Sequence, residues 1–343
     1  MRLRNFAPNL SIKRSQRTTL RISVATSSGS LDVVLPPSET ETDQVQLEEA
    51  IEISGGMPIY QLVILCGLWG AAGAAMLVTV FMIEGLTAAN LGDWVIKGNA
   101  SMLAGCALGS FFTGILSDTQ GRRRAVIASA AVLSLGGFGS AWSCDTLTYL
   151  ISRCLVGAGA GGVMGSTGCL GIEAVSPRYR TWVTPAFNIA WSLGSLGMIV
   201  AALFVTQWRT LLNVVAIPSI VLLTAVVLKV PESPRWLLLQ RGRVAAKTAL
   251  ERMANENSRQ FTSNLAPVNT STTAPVRVRD FLKGDLWVHT PALTCVCFIA
   301  AMLYFGLSLG VSELVGNLHL NSALCFGAEI PALLLSGFFW DLL

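Results

Sequence analysis

Acid, base and metal chemistry have little to work with in this chain. Histidine occurs only at His289 and His319, no two cysteines form a C-x-x-C pair, and charged residues make up 13% of the 343 positions. That inventory argues against a metal site. A glycine-rich nucleotide loop and a Ser/His/Asp set are both missing, and no polar segment is long enough to fold a catalytic domain; neither an enzyme nor a cofactor is expected. The net charge is only +4 and no aromatic-basic patch accompanies it, so nothing points to nucleic acid. What fills the space is apolar: 52% of residues are hydrophobic and the mean hydropathy is +0.58. Those values belong to a polytopic all-α membrane protein, with the lipid bilayer as its principal partner. Seven of the eight cysteines, all but Cys144, lie inside apolar runs and read as small packing residues.

Counting spans replaces counting domains. Apolar runs at about 58–83, 98–117, 125–142, 147–172, 182–205, 210–229, 287–309 and 321–340 are each long enough for the ~30 Å hydrocarbon core. They divide the chain into an N-terminal tail (1–56), a six-helix bundle (57–230), a linker (231–286) and two further helices (287–343). The tail begins basic, with Arg2, Arg4, Lys13, Arg14, Arg17 and Arg21, and turns acidic from Glu39 to Glu52. It is expected to be disordered, with a polar linker or short interfacial helix over 36–52; an organelle transit peptide over 1–31 is the alternative. Glu84, Asp93 and Lys97 mark an external loop. Arg122 to Arg124, Arg178 with Arg180, and Arg235 with Arg241 and Arg243 fall on one side of the membrane. By the positive-inside rule that side is cytoplasmic, and the N-terminus shares it, in a plasma or vesicular membrane or, with a transit peptide, an organelle envelope.

The chain is organised around Gly114-Ile-Leu-Ser-Asp118-Thr-Gln-Gly121-Arg122-Arg123-Arg124, an acid and three arginines placed between two spans. This stretch resembles the G-x-L-x-D-R-x-G-R-R signature between the second and third helices of major facilitator transporters, with Thr119 in place of the usual basic residue. Arg153 followed by Gly157, Gly159 and Gly161 resembles the fourth-helix signature, and Glu173 with Arg180 matches the acid and base at the end of that helix. Pro231-Glu232-Ser233-Pro234-Arg235-Trp236 resembles the sequence that closes the N-terminal half in sugar porters and organic ion transporters. Gly114-Ile-Leu-Ser-Asp118 recurs as Gly337-Phe-Phe-Trp-Asp341, as internal duplication would require.

The resemblance implies a secondary transporter in which two six-helix bundles rock about a midplane site. Asp118, Gly121, Arg122, Arg123, Glu173, Arg180, Glu232 and Arg235 would form its cytoplasmic gate. Surface ion pairs of little energetic weight are the plainer reading of the same charges. For the solute, the polar groups at membrane depth are the candidates: Glu329 above all, with Arg153, Asn188, Trp191, Trp69 and Tyr304. Gly327-Ala-Glu329-Ile-Pro331 resembles the eighth helix of organic cation and carnitine transporters, which points to a small organic ion, with proton or sodium as coupling ion. Val45 to Ile53 resembles the segment before the first span in synaptic vesicle transporter-like proteins. A sugar porter would carry a Gln-Gln pair in the seventh helix, which is absent here. A transport-inactive scaffold derived from a transporter is the reading from another class. On this resemblance the chain supplies the complete first half and two helices of the second, and a C-terminally truncated carrier is expected.

Overall fold

The computed structural model describes residues 10–15, 19–26, 29–35, 39–82, 92–261, 286–313 and 315–342. Glu84 and linker residues 262–285, both singled out from the sequence, lie outside them. The described chain is nearly all helical. A three-stranded antiparallel meander, β1 (Leu10–Ser15), β2 (Thr19–Thr26) and β3 (Gly29–Leu35), comes first, with Ile12 opposite Ile22 and Val24 opposite Leu31. Disorder was expected there. The alternation of apolar and polar residues in Leu20-Arg-Ile-Ser-Val24 is the period of a strand, a signal obscured by the run of basic and hydroxyl residues.

Of the two readings of the acidic segment, polar linker or short helix, the structure has the helix, α1 (Glu39–Ser54). Its Leu47, Ala50 and Ile51 are buried against Leu250. The spans follow as α2 (Ile59–Leu77), continued by a 3-10 turn over Val78–Met82, α3 (Gly92–Gln120), α4 (Arg122–Ala141), α5 (Thr146–Ala174), α6 (Arg180–Phe204) and α7 (Trp208–Lys229). After α7 come α8 (Pro234–Arg241) and α9 (Arg243–Glu256), which carries the Leu250 that α1 covers, then the spans α10 (Leu286–Leu309) and α11 (Leu318–Leu342). Eight described helices are thus long and apolar enough to cross a membrane.

Local chemistry sets the ends. Asp93 and Lys97, expected in a loop, sit in the opening turns of α3, where an acid suits the helix dipole and the two pair across one turn at 3.2 Å. Asp145 caps α5 by accepting from the Thr148 hydroxyl at 2.6 Å and its amide at 3.0 Å, bonds that hold its carboxyl below the usual carboxylate range. Ser233 caps α8 with Pro234 at the first helical position.

Lipid offers little hydrophobic drive for helix association, so the bundle relies on close approach of backbones. It is tightest between α3 and α5, where a Cβ on Gly157 would lie 1.8 Å from the Met102 carbonyl oxygen and one on Gly105 2.1 Å from that of Cys154. Both obstacles are main chain and cannot step aside. Gly157→Val should therefore abolish the monodisperse detergent-solubilised form, whereas Gly165→Val on the same helix, with nothing within 4 Å of the added carbon, should keep it. Size-exclusion chromatography with a thermal ramp measures both, and equal behaviour would contradict this packing.

Candidate functional site

At the arginine-rich end of the bundle the hairpin between α3 and α4 consists of one residue, Gly121, so the three arginines begin a helix and do not form a loop. Gly121 is required twice over. Its φ is +113°, and a Cβ there would meet Glu232 Oε2 at 2.3 Å. That near contact positions Glu232, whose Oε1 accepts the amides of Arg123 at 2.9 Å and Ser233 at 3.0 Å.

Arg122 reaches across to α5 and binds Glu173 with Nη2 at 3.1 Å and Nε at 3.3 Å, while also pairing with Asp118 on its own hairpin. The cap residue Ser233 donates to Glu173 Oε2 at 2.6 Å, and the Trp236 indole donates to the Asp118 carbonyl at 3.0 Å. Arg123 donates to the Val227 carbonyl at 2.7 Å. Five of the predicted gate residues, Asp118, Arg122, Arg123, Glu173 and Glu232, thus form one knot around Gly121.

Arg180 and Arg235 fall elsewhere. Arg180 does not join Glu173 but pairs with Glu48 of α1 at 2.8 Å, and Arg235 approaches the same oxygen at 3.9 Å. Glu173 already has Arg122 and Ser233, and α1 brings Glu48, a carboxylate not among the predicted gate residues. Among the described residues every member of both groups lies between α1 and α8, none on α10 or α11.

A second polar group lies midway along the spans. Ser192 of α6 donates to Glu329 of α11 at 2.5 Å, and one residue earlier the Trp191 indole donates to the Tyr304 hydroxyl of α10 at 2.6 Å. Three helices meet there, two of them beyond the linker. Asn188, one turn before Ser192, bonds back to the Thr184 carbonyl at 2.9 Å and lines a cavity of about 360 Å³ with Arg180, Thr181, Thr184, Leu333 and Ser336. Toward the arginine-rich end, α6 and α11 close through Trp182 against Phe338, rings 5.3 Å apart, where Gly337 leaves space for the indole. In its second copy the repeated motif thus serves helix packing at its glycine, whereas a Cβ on Gly114 would meet nothing within 4 Å; the side chain of Asp341 lies outside the described residues.

Trp69 stands apart from Glu329, stacked on Phe187 at 5.0 Å and donating to the Thr167 hydroxyl. Arg153 is only 1% exposed; it donates to the carbonyls of Ala75 at 3.0 Å and Met76 at 3.4 Å and approaches the Met102 sulfur at 2.8 Å. Those carbonyls are free because α2 gives way to its 3-10 turn just beyond them. Arg153 therefore faces protein and offers a solute no surface. Ser192 was not among the sequence candidates, although Thr181, Thr184, Asn188, Ser192 and Ser195 recur every three or four residues and mark one helix face.

Eight spanning helices, a charged knot at one end and polar side chains at mid-depth define a multi-pass membrane protein of the major facilitator fold. A profile of sugar (and other) transporters matches residues 73–320, well over half of the chain, and the protein belongs to that family. Its fold resembles that of the xylose transporter XylE from E. coli in a partially occluded inward open conformation, with a TM-score of 0.51 and 22% identity over 58% of this chain and 56% of that one. By sequence it is 32% identical to a solute carrier family 22 member 15-like protein of Xenopus laevis over 67% of this chain and 47% of the relative. It is 28% identical to human organic anion transporter 3 (67% and 44%) and 27% identical to organic cation/carnitine transporter 4 of Arabidopsis thaliana (71% and 48%). The chain spans about half the length of these relatives.

The knot ranks its members by exposure. Arg122 and Glu173 are each 15% exposed, Asp118 73%. Glu173→Gln should cost about 1–3 kcal/mol, since it leaves a largely buried guanidinium short of its charge partner, whereas Asp118→Asn should cost ~1 kcal/mol or less. Thermal unfolding of the purified variants tests the order, and a larger loss for Asp118→Asn would refute this assignment.

Proposed function

We propose that this protein takes part in moving small organic ions across a membrane by alternating access as a secondary transporter, with Glu329 as the group that meets the solute or its coupling ion, a proton or sodium. The observation that carries the reading is the Ser192–Glu329 contact beside Trp191 and Tyr304. It joins a span of the first half to spans beyond the linker through a carboxylate midway along α11. Glu329 follows the start of α11 by eleven residues, or ~16 Å at 1.5 Å per residue, about half the ~30 Å hydrocarbon thickness. An ionisable group at that depth costs free energy and is typically retained for function. Relatives named as transporters of organic anions, organic cations or carnitine, and β-alanine support ionic solutes as the class.

In this reading the arginine-rich end is cytoplasmic and the Gly121 knot is its gate. Asn188 and the cavity beside it form the route between gate and Glu329, and rearrangement of α10 and α11 against α6 opens that route. A transport-inactive scaffold is the competing reading. Thr119 favours it, because its hydroxyl bonds back to the Ile115 carbonyl at 2.8 Å and brings no charge to the hairpin.

Uptake into proteoliposomes, with cationic, anionic and sugar solutes in competition, separates the two. Saturable uptake of an organic ion is expected, and Glu329→Gln should reduce it at least about tenfold with no loss of folded protein, as removal of an interaction worth ~1.4 kcal/mol or more would. Absence of saturable flux for every solute would favour the scaffold, and unchanged kinetics in Glu329→Gln would remove that carboxylate from the site.

A further inference from the structure

The outer side of the Gly121 knot carries a feature that the transport reading does not use. A cavity of about 380 Å³, many times the ~10–15 Å³ that one water needs, opens between the start of α4 and the two linker helices α8 and α9. Four arginines line it: Arg123 and Arg124 from α4, Arg241 from the end of α8 and Arg252 from α9. The charges facing them are few. Glu232 is already held by two amides, and Glu256 pairs with Arg252 at 3.0 Å. Arg124 and Arg241 are exposed and carry no ion pair among the described residues, Arg241 lying against the Trp236 ring at 5.9 Å. Arg123 is half-buried and spends one nitrogen on the Val227 carbonyl, while its buried Nε has no partner.

Like charges gathered from three helices around an open cavity repel one another unless an anion enters. Guanidinium groups present planar forks suited to phosphate oxygens. Depth narrows the source, because the cavity adjoins the ends of three spans, at Gln120, Arg124 and Pro231. That is the level of the headgroups, where basic pockets take up phosphorylated lipids. We infer that this cavity is a binding site for a phosphate-bearing anion, presented as the headgroup of an acidic lipid, which would clamp α8 and α9 onto the α3–α4 hairpin. The site is distinct from the Glu329 group, so the inference stands whichever solute the protein carries.

The test uses the purified chain in phosphatidylcholine nanodiscs with or without phosphatidylinositol phosphate, with native mass spectrometry for retained lipid and thermal unfolding for stabilisation. A separate arm supplies inorganic pyrophosphate without the lipid. Preferential retention of the phosphorylated lipid with a rise in Tm is expected. The double variant Arg124→Gln, Arg241→Gln should weaken it at least about tenfold, since each basic group near the surface contributes appreciably to such binding. Both positions are exposed, so the variant should elute like the wild type. Arg178→Gln, outside the cavity, should leave retention unchanged. Binding of pyrophosphate as tightly as of the lipid would support the anion site and assign it to a soluble phosphate. Equal retention of both lipids with no effect of pyrophosphate, or undiminished binding by the double variant, would overturn it.

Discussion

A charge or an unpaired carbonyl inside hydrocarbon has to be held by protein, because lipid supplies no partner. Arg153 meets that constraint without a carboxylate. It takes the carbonyls that α2 releases as it tightens into its 3-10 turn, so the irregularity in one span receives the terminal nitrogens of the cation in another, while the buried Nε of Arg153 has no partner. The consequence is geometric: α2, α3 and α5 are tied at one level through Ala75, Met102 and Arg153. The glycine contacts between α3 and α5 then bring these helices to backbone distance. Removing either feature leaves the other with an unfilled demand.

The charged groups at the arginine-rich end extend that unit out of the membrane. Gly121 allows α3 and α4 to reverse within one residue, and the space it leaves admits the Glu232 carboxylate. Glu232 holds the start of α4, Glu173 holds Arg122 and the cap of α8, and Glu48 ties α1 to Arg180. Spans α2 to α7 and the helices α1, α8 and α9 are therefore cross-linked by short polar contacts. Helices α10 and α11 join them largely along α6, through Trp191, Ser192 and Trp182. The two parts thus meet across a few polar and aromatic side chains.

Much of this was legible from residues alone because membrane spans are local objects. Length and apolarity placed all eight to within about two turns, and Ser-Pro after Glu232 announces a helix start. The turn at Gly121 follows from single-residue chemistry, whereas Arg153, a candidate for the solute from its depth alone, is shown by its neighbours to face protein. Less legible were the N-terminal elements, since basic and hydroxyl residues hid the strand period and α1 is held by Leu250, some two hundred residues away.

What the sequence by itself determined, then, is which segments are long and apolar enough to cross the bilayer, their ends to within about two turns, and which polar residues are placed too deep to be left to solvent. Those properties depend on neighbours a few positions away. Only the tertiary structure decided the partners: Glu173 with Arg122 and not Arg180, Arg180 with Glu48, Arg153 with two carbonyls, Glu329 with Ser192. A helix pattern states which face is polar but not which helix stands opposite. A contact of about 3 Å exists only once packing has set axis positions and rotations that no single span encodes.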